Sequence, residues 1–256
     1  MAQDPSRFRQ KGRSSEREVG FRERMNRHIE NSPGTFFERL EHFPKYTSRQ
    51  VLARYLALYE VFKLALDVQG DIVECGVNWG GGLMALAQFS SVLEPVNLQR
   101  RVIGFDTFEG FPSIAEQDKK GEAVTAEMRV GGLAASCYED LLECIALYDT
   151  NRSIGHIEKV VLVKGDATLT IPEFVKENPQ IIVSLLHLDF DLYEPTKAAI
   201  QNFAPRMPKG SVVVFDELNN VSWPGETTAV LDTLGLKNLR IRRFPFEPYI
   251  SYAVIE

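Results

Sequence analysis

A basic excess, long apolar runs and a cysteine framework are all missing from this chain of 256 residues. The formal net charge of -6 argues against generic nucleic-acid binding. No apolar run approaches the ~20 residues needed to span a bilayer. The first residues are polar and rich in arginine and glutamine, without the apolar stretch of a secretory signal. Three cysteines, Cys75, Cys137 and Cys144, show neither metal-ligand spacing nor a dense pairing pattern, which fits a reducing cytoplasm. No internal repeat is visible. The expectation is a cytoplasmic protein with neither a nucleic acid nor a membrane as partner.

The length suits one large α/β domain with a small N-terminal appendage. Residues 1–45 read as that appendage: a solvated tail carrying Arg7, Arg9, Arg13 and Arg17, then short helices with Phe36, Phe37 and Phe43. Residues 46–256 read as the main domain. Within it Leu52, Tyr55, Leu56, Tyr59, Phe62 and Leu66 recur at helical spacing and mark a core-facing stripe. Strands are expected at 71–75, 101–105, 159–163, 181–188 and 211–215, separated by helices. Two last runs, 239–244 and 249–255, sit close enough to form an antiparallel hairpin at one sheet edge. The long interval 112–158 reads as an insertion near the rim of a site.

The run 181–188 is apolar enough for a strand buried on both faces, and it delivers Asp189 and Asp191 at its C-terminal tip. The strand 211–215 ends likewise in Asp216 and Glu217. Open α/β sheets bind ligands beyond the carboxyl ends of their strands, so neighbouring strands would gather these four acids. Four carboxylates in one small volume cannot all ionise without a counter-charge. A hard divalent cation such as Mg²⁺ is the simplest resolution. The competing reading for Asp191 is a cap on the following helix.

The turn after the first strand runs Glu74, Cys75, Gly76, Val77, Asn78, Trp79, Gly80. It departs from the nicotinamide fingerprint, which needs glycine two residues after the first. Glu74 would repel a pyrophosphate but attract an ammonium. Asp106, at the second strand end with Thr107 beside it, can accept from two ribose hydroxyls. Asp166, next to Ala167 after the third strand, can accept from an adenine amino group, or simply cap a helix. Trp79 reads equally as a packing residue or as a surface for the ligand. Ammonium, ribose and adenine in series describe S-adenosylmethionine.

Residues 72–76 (IVECG), 104–112 (GFDTFEGFP), 188–196 (LDFDLYEPT) and 214–217 (VFDE) together resemble the macrocin-type (TylF-like) sugar O-methyltransferases. The likeness runs from about residue 43 to the C-terminus, with four motifs in order. It implies a class I methyltransferase fold: a Rossmann-like α/β domain with a mostly parallel seven-stranded sheet, an antiparallel C-terminal hairpin and helices on both faces. It also implies S-adenosylmethionine and Mg²⁺ as cofactors, a sugar or glycoside acceptor, and a homo-oligomer. Carried over by motif, Asp189, Asp216 and Glu217 are the expected metal ligands. Glu217 stands where the family usually has aspartate. Asp191 is the expected base, with His156 as the alternative, while His187 reads as a core histidine. Competing functions are a catechol-type O-methyltransferase, a non-catalytic S-adenosylmethionine-binding protein, and a nicotinamide-dependent sugar enzyme that the Glu74 turn disfavours.

Overall fold

Side chains alternate along the central strands so that both faces of one sheet are apolar, which calls for helices on both sides. The computed structural model describes residues 20–119 and 127–256. The arginine-bearing tail and part of the 112–158 insertion lie outside these residues. The described chain divides into two units, one ending at Leu52 and one spanning Ala53–Glu256.

The first unit holds α1 (Phe21–Asn31), α2 (Phe36–Glu41) and a short 3₁₀ turn (Phe43–Lys45). Helix α2 starts at a reciprocal cap: Glu38 N donates to Thr35 Oγ1 (3.2 Å), and Thr35 N donates to Glu38 Oε2 (2.7 Å). Helix α3 (Arg49–Ala65) carries the chain into the second unit.

The second unit then alternates strand and helix: β1 (Asp71–Cys75), α4 (Gly81–Leu93), β2 (Val102–Asp106), α5 (Tyr138–Thr150), β3 (Val160–Lys164), α6 (Ala167–Glu177), β4 (Val183–Leu188), α7 (Tyr193–Phe203), β5 (Val212–Phe215) and α8 (Pro224–Thr233). The hairpin β6 (Arg242–Phe244) and β7 (Glu247–Val254) follows. The seven strands lie in the order β3-β2-β1-β4-β5-β7-β6. The first five are parallel, and β7 runs antiparallel between β5 and β6. This is the expected α/β architecture. The order reverses between β1 and β4, which opens a crevice beyond their carboxyl ends.

One face of the sheet buries Ile72, Val102, Leu185 and Val214 against Leu58, Val61 and Phe62 of α3, Leu83 and Leu86 of α4, and Leu141 of α5. The other buries Val73, Ile103, Leu186 and Phe215 against Ile171 of α6, Ile200 and Phe203 of α7, and Val230 of α8. Phe105 closes this second core, edge-on to Phe174 and tilted against Phe203. Among the described residues no helix is long and apolar enough to cross a membrane.

Helix α6 starts at Ala167, where Asp166 caps it by accepting Thr168 N (2.9 Å), and it holds Pro172 in its interior. Most strands differ from the expected ranges by one to three residues at an end: β4 is Val183–Leu188 rather than 181–188, and β6 is Arg242–Phe244 rather than 239–244.

Candidate active site

Parallel pairing in register aligns Leu188 of β4 with Phe215 of β5, so the next residues, Asp189 and Asp216, emerge side by side. Asp216 N donates to Leu188 O (3.1 Å), extending the ladder to the tip. One row back, β1 pairs Glu74 with His187 across the strands. Both side chains are buried, and His187 Nδ1 lies 3.1 Å from Glu74 Oε1. Among the described residues Glu74 Oε2 and His187 Nε2 have no hydrogen-bond partner, although each is shut off from water. Such buried orphans are costly and call for an explanation, of which a bound ion or ligand is one.

Arg54, on α3, reaches this cluster. Its Nη1 donates to Asp216 Oδ1 and its Nη2 to Asp189 Oδ2, each at 2.5 Å. Sequence reasoning missed it, although a signal was present. Positions 54, 58, 61 and 65 share one helix face, so the charge stands in line with core residues. Burial works against the charge of Asp216, yet Arg54 and His187 hold its carboxyl below the usual range. Asp189 is pushed well above that range by burial and by the charge of Asp216.

Glu217 turns toward Asn220, whose amide donates to its Oε2, and burial with the Asp216 charge raises its carboxyl to about 9. Donor atoms of His187, Asp189 and Asp216 lie within 4.8 Å of one another, and Glu217 is not in this group. The expected trio of Asp189, Asp216 and Glu217 is therefore assembled only as the first pair, with His187 beside it.

A second residue that sequence reasoning missed fixes the β5 tip. Glu226, fully buried on α8, accepts Glu217 N at Oε1 (2.9 Å) and Asp216 N at Oε2 (3.3 Å). Its carboxyl is raised by burial first and by Asp216 second. Nothing in the spacing of the Trp223-Pro224-Gly225 turn pointed to it.

Asp191 stands beyond β4 with a left-handed φ of 62°, a conformation seldom adopted without a reason in the surroundings. Its carboxyl is pushed up to about 8 by burial and then by Asp216, against the pull of Arg54. It does not cap α7: Leu192 is the N-cap, and Tyr193 N donates instead to Asp118 Oδ1 (2.8 Å). The helix-cap reading for Asp191 thus fails on geometry.

Next to the acids runs a groove lined by Gly76, Asn78, Asp106, Thr107, Asp166 and Ala167, with Asp189 and Asp191 on its wall. Gly76 has a φ of 100°, and a Cβ there would overlap the Asp189 carbonyl. Gly80, at φ 83°, N-caps α4 in a conformation that glycine adopts freely. Asp106 Oδ2 accepts Val77 N and Asn78 N (both 2.8 Å), and Oδ1 accepts Phe108 N (2.7 Å). Three of its roughly four lone-pair sites are therefore committed, leaving room for one ribose hydroxyl rather than two. Thr107 Oγ1 donates to Gly110 O (2.6 Å) and so closes its own turn. Asp166 keeps Oδ2 open, because its cap uses Oδ1.

Two expected site residues stand elsewhere. His156 precedes β3, at the N-terminal ends of the parallel strands, and lines a separate cavity with Leu142, Ile145 and Glu158. The acids lie at the opposite ends, so His156 does not join them. Trp79 is 63% exposed and packs neither in the core nor into the groove.

The family model for macrocin-O-methyltransferase (TylF) matches residues 53–232. The chain belongs to the TylF macrocin-O-methyltransferase family. Over 99% of its length it superimposes on 97% of a solved structure described as CalS11, calicheamicin methyltransferase, with 35% sequence identity and a TM-score of 0.89. Two Streptomyces enzymes are also similar. One, from Streptomyces olivaceus, is named 8-demethyl-8-(2,3-dimethoxy-alpha-L-rhamnosyl)-tetracenomycin-C 4'-O-methyltransferase; it is 31% identical over 60% of this chain and 55% of its own length. The other, from Streptomyces niveus, is named demethyldecarbamoylnovobiocin O-methyltransferase; it is 28% identical over 59% of this chain and 53% of its own length. The match thus spans about half the length of these two curated relatives.

Both cofactors implied by the family have fitting residues here. The unpartnered Glu74 Oε2 is an acceptor of the kind an ammonium requires, and Gly76, two residues on, lines the groove. For a cation, Asp189 and Asp216 already hold a positive guanidinium between them, and with His187 they bring three donor atoms within 4.8 Å of one another.

Proposed function

We propose that this family member is an S-adenosylmethionine- and divalent-metal-dependent O-methyltransferase acting on a hydroxyl of a sugar or glycoside. The observation that carries the reading is the adjacency of the Asp189, Asp191 and Asp216 tips to the glycine-turn groove. The names of the relatives, one of which specifies methylation on a rhamnosyl group, support a sugar acceptor. The reading includes a homo-oligomeric, cytoplasmic enzyme, supported by the resemblance and by three cysteines that form no disulfide.

S-adenosylmethionine supplies an electrophilic methyl group, and a divalent cation a charge that lowers the pKa of a hydroxyl. The chain's own residues do the remainder. Glu74 Oε2 receives the ammonium of the methionine moiety, Asp106 Oδ1 one ribose hydroxyl, and Asp166 Oδ2 the adenine amino group. Asn78 and Ala167 line the groove around them, and Gly80 caps the helix that follows the turn. Asp189 and Asp216 hold the cation, with Glu217 joining them if its side chain leaves Asn220. Asp191 takes the proton that the acceptor hydroxyl loses; burial and the charge of Asp216 raise its carboxyl, which makes it a stronger base than an exposed aspartate.

The test is transfer of label from methyl-labelled S-adenosylmethionine to a panel of deoxysugar glycosides, nucleotide sugars and catechols, with and without chelator. Label on a sugar hydroxyl that disappears with chelator and returns with Mg²⁺ is the expected result. Label on catechols alone would replace the acceptor, and cofactor binding without transfer to any acceptor would favour a binding protein.

A further inference from the structure

We infer that Arg54 is a built-in counter-ion that competes with the divalent cation for Asp189 and Asp216, and so sets the metal affinity of the site. The inference rests on the metal-dependent reading above and concerns a residue which that reading does not use.

The geometry is specific. A guanidinium is planar, with its terminal nitrogens spread as a fork, and here one arm goes to each carboxylate rather than both to one. The oxygens it engages, Asp189 Oδ2 and Asp216 Oδ1, belong to the two residues that would ligate a cation. Its stem rises from α3 one turn before Leu58 and two before Val61, both fully buried, so the helix is anchored by the core and the arginine is held at the tips. About a third of the Arg54 side chain remains exposed, at 32%, which leaves it a way out toward solvent.

The charge balance explains why such a residue is needed. Without a cation, Asp189 and Asp216 stand side by side, and Asp191 and Glu217 are near enough to feel the charge of Asp216. One guanidinium relieves that repulsion and keeps the β4 and β5 tips together in the metal-free chain. A divalent cation entering the same space must break both ion pairs and then sit near the displaced positive charge. Both effects oppose metal binding. The site therefore has two occupants, one covalently attached, and the measured metal affinity is the difference between them.

The experiment measures Mn²⁺ binding to the full chain by loss of the free-ion paramagnetic resonance signal, with Mg²⁺ as competitor. Wild type, Arg54→Met and Arg54→Lys are compared, and thermal unfolding of each is followed in chelator and in saturating Mg²⁺. Arg54→Met should bind Mn²⁺ about tenfold tighter or more, because a unit charge a few ångströms away has been removed. It should also melt below wild type in chelator and gain more from Mg²⁺. Arg54→Lys keeps the charge but not the fork, and should fall between the two. An affinity in the folded variants equal to or weaker than wild type overturns the inference and leaves metal dependence standing. No Mn²⁺ binding by wild type or variants at millimolar concentration overturns both. If Arg54→Met does not fold, Arg54→Lys decides by the same criterion.

Discussion

Removing Glu226 tests whether the β5 tip is held in place from behind. In the folded chain its two oxygens serve unequal partners. Glu217 N donates to Oε1 at 2.9 Å, whereas Asp216 N, at 3.3 Å from Oε2, also donates to Leu188 O at 3.1 Å. Glu226→Ala therefore takes the side-chain acceptor from Glu217 N while Asp216 N keeps its backbone partner. A donor left without its acceptor costs ~1–3 kcal/mol, and the space left by a fully buried side chain adds ~1 kcal/mol, so a loss of ~2–4 kcal/mol is expected. Glu226→Gln keeps one carbonyl oxygen for Glu217 N and resembles the neutral acid that burial already favours. It also removes a like charge beside Asp216, so its cost should be ~1 kcal/mol or less. Urea denaturation with linear extrapolation resolves the two variants. Mn²⁺ affinity on the same samples should fall in Glu226→Ala and recover in Glu226→Gln, because the tip carries a ligand. An alanine variant within ~0.5 kcal/mol of wild type, or a glutamine variant as damaged as alanine, would refute this reasoning.

Gly76→Ala combines a disfavoured φ with overlap at the Asp189 carbonyl, so it should destabilise the chain by ~2–4 kcal/mol and abolish binding of S-adenosylhomocysteine; a folded variant with unchanged calorimetric affinity would contradict this. Burial and the charge of Asp216 push Asp191 up to about 8 without a cation; a bound cation lowers it, so turnover should rise with pH and level off below that value, because a base must be unprotonated. The same shift has a stability consequence. A carboxyl raised above its unfolded value contributes stability that is full below the unfolded value of ~4 and lost as pH rises toward about 8. Asp191→Asn should flatten that slope in chelator, as read from melting temperatures across the range; an unaltered slope would remove Asp191 from the account.

The fold was legible because its signals were local and repeated. Apolar runs ending in acids or glycine turns marked five parallel strands, and the prolines at 245 and 248 did not obscure the terminal hairpin. Asp189 and Asp216 were legible as neighbours because each follows directly on a strand, where register alone places it, and Asp191 because it lies two residues beyond Asp189. Arg54 and Glu226 were not, since each reaches the tips from a helix distant in sequence, and no local pattern records such a contact. The dual use of Asp106 was hidden for the same reason: the sequence shows an acid at a strand end, not the backbone amides that fold back onto it. His156 misled because chain order placed it in the insertion before β3, whereas the direction of that strand carries it to the far end of the sheet.

The most direct test of the account is Asp191→Asn in a labelled-methyl assay, run beside calorimetry with S-adenosylhomocysteine. The account predicts that turnover falls by about a thousandfold, within the range for loss of a general base, while the affinity for S-adenosylhomocysteine stays at the wild-type value. Turnover near wild type in a variant that binds the product normally would contradict it.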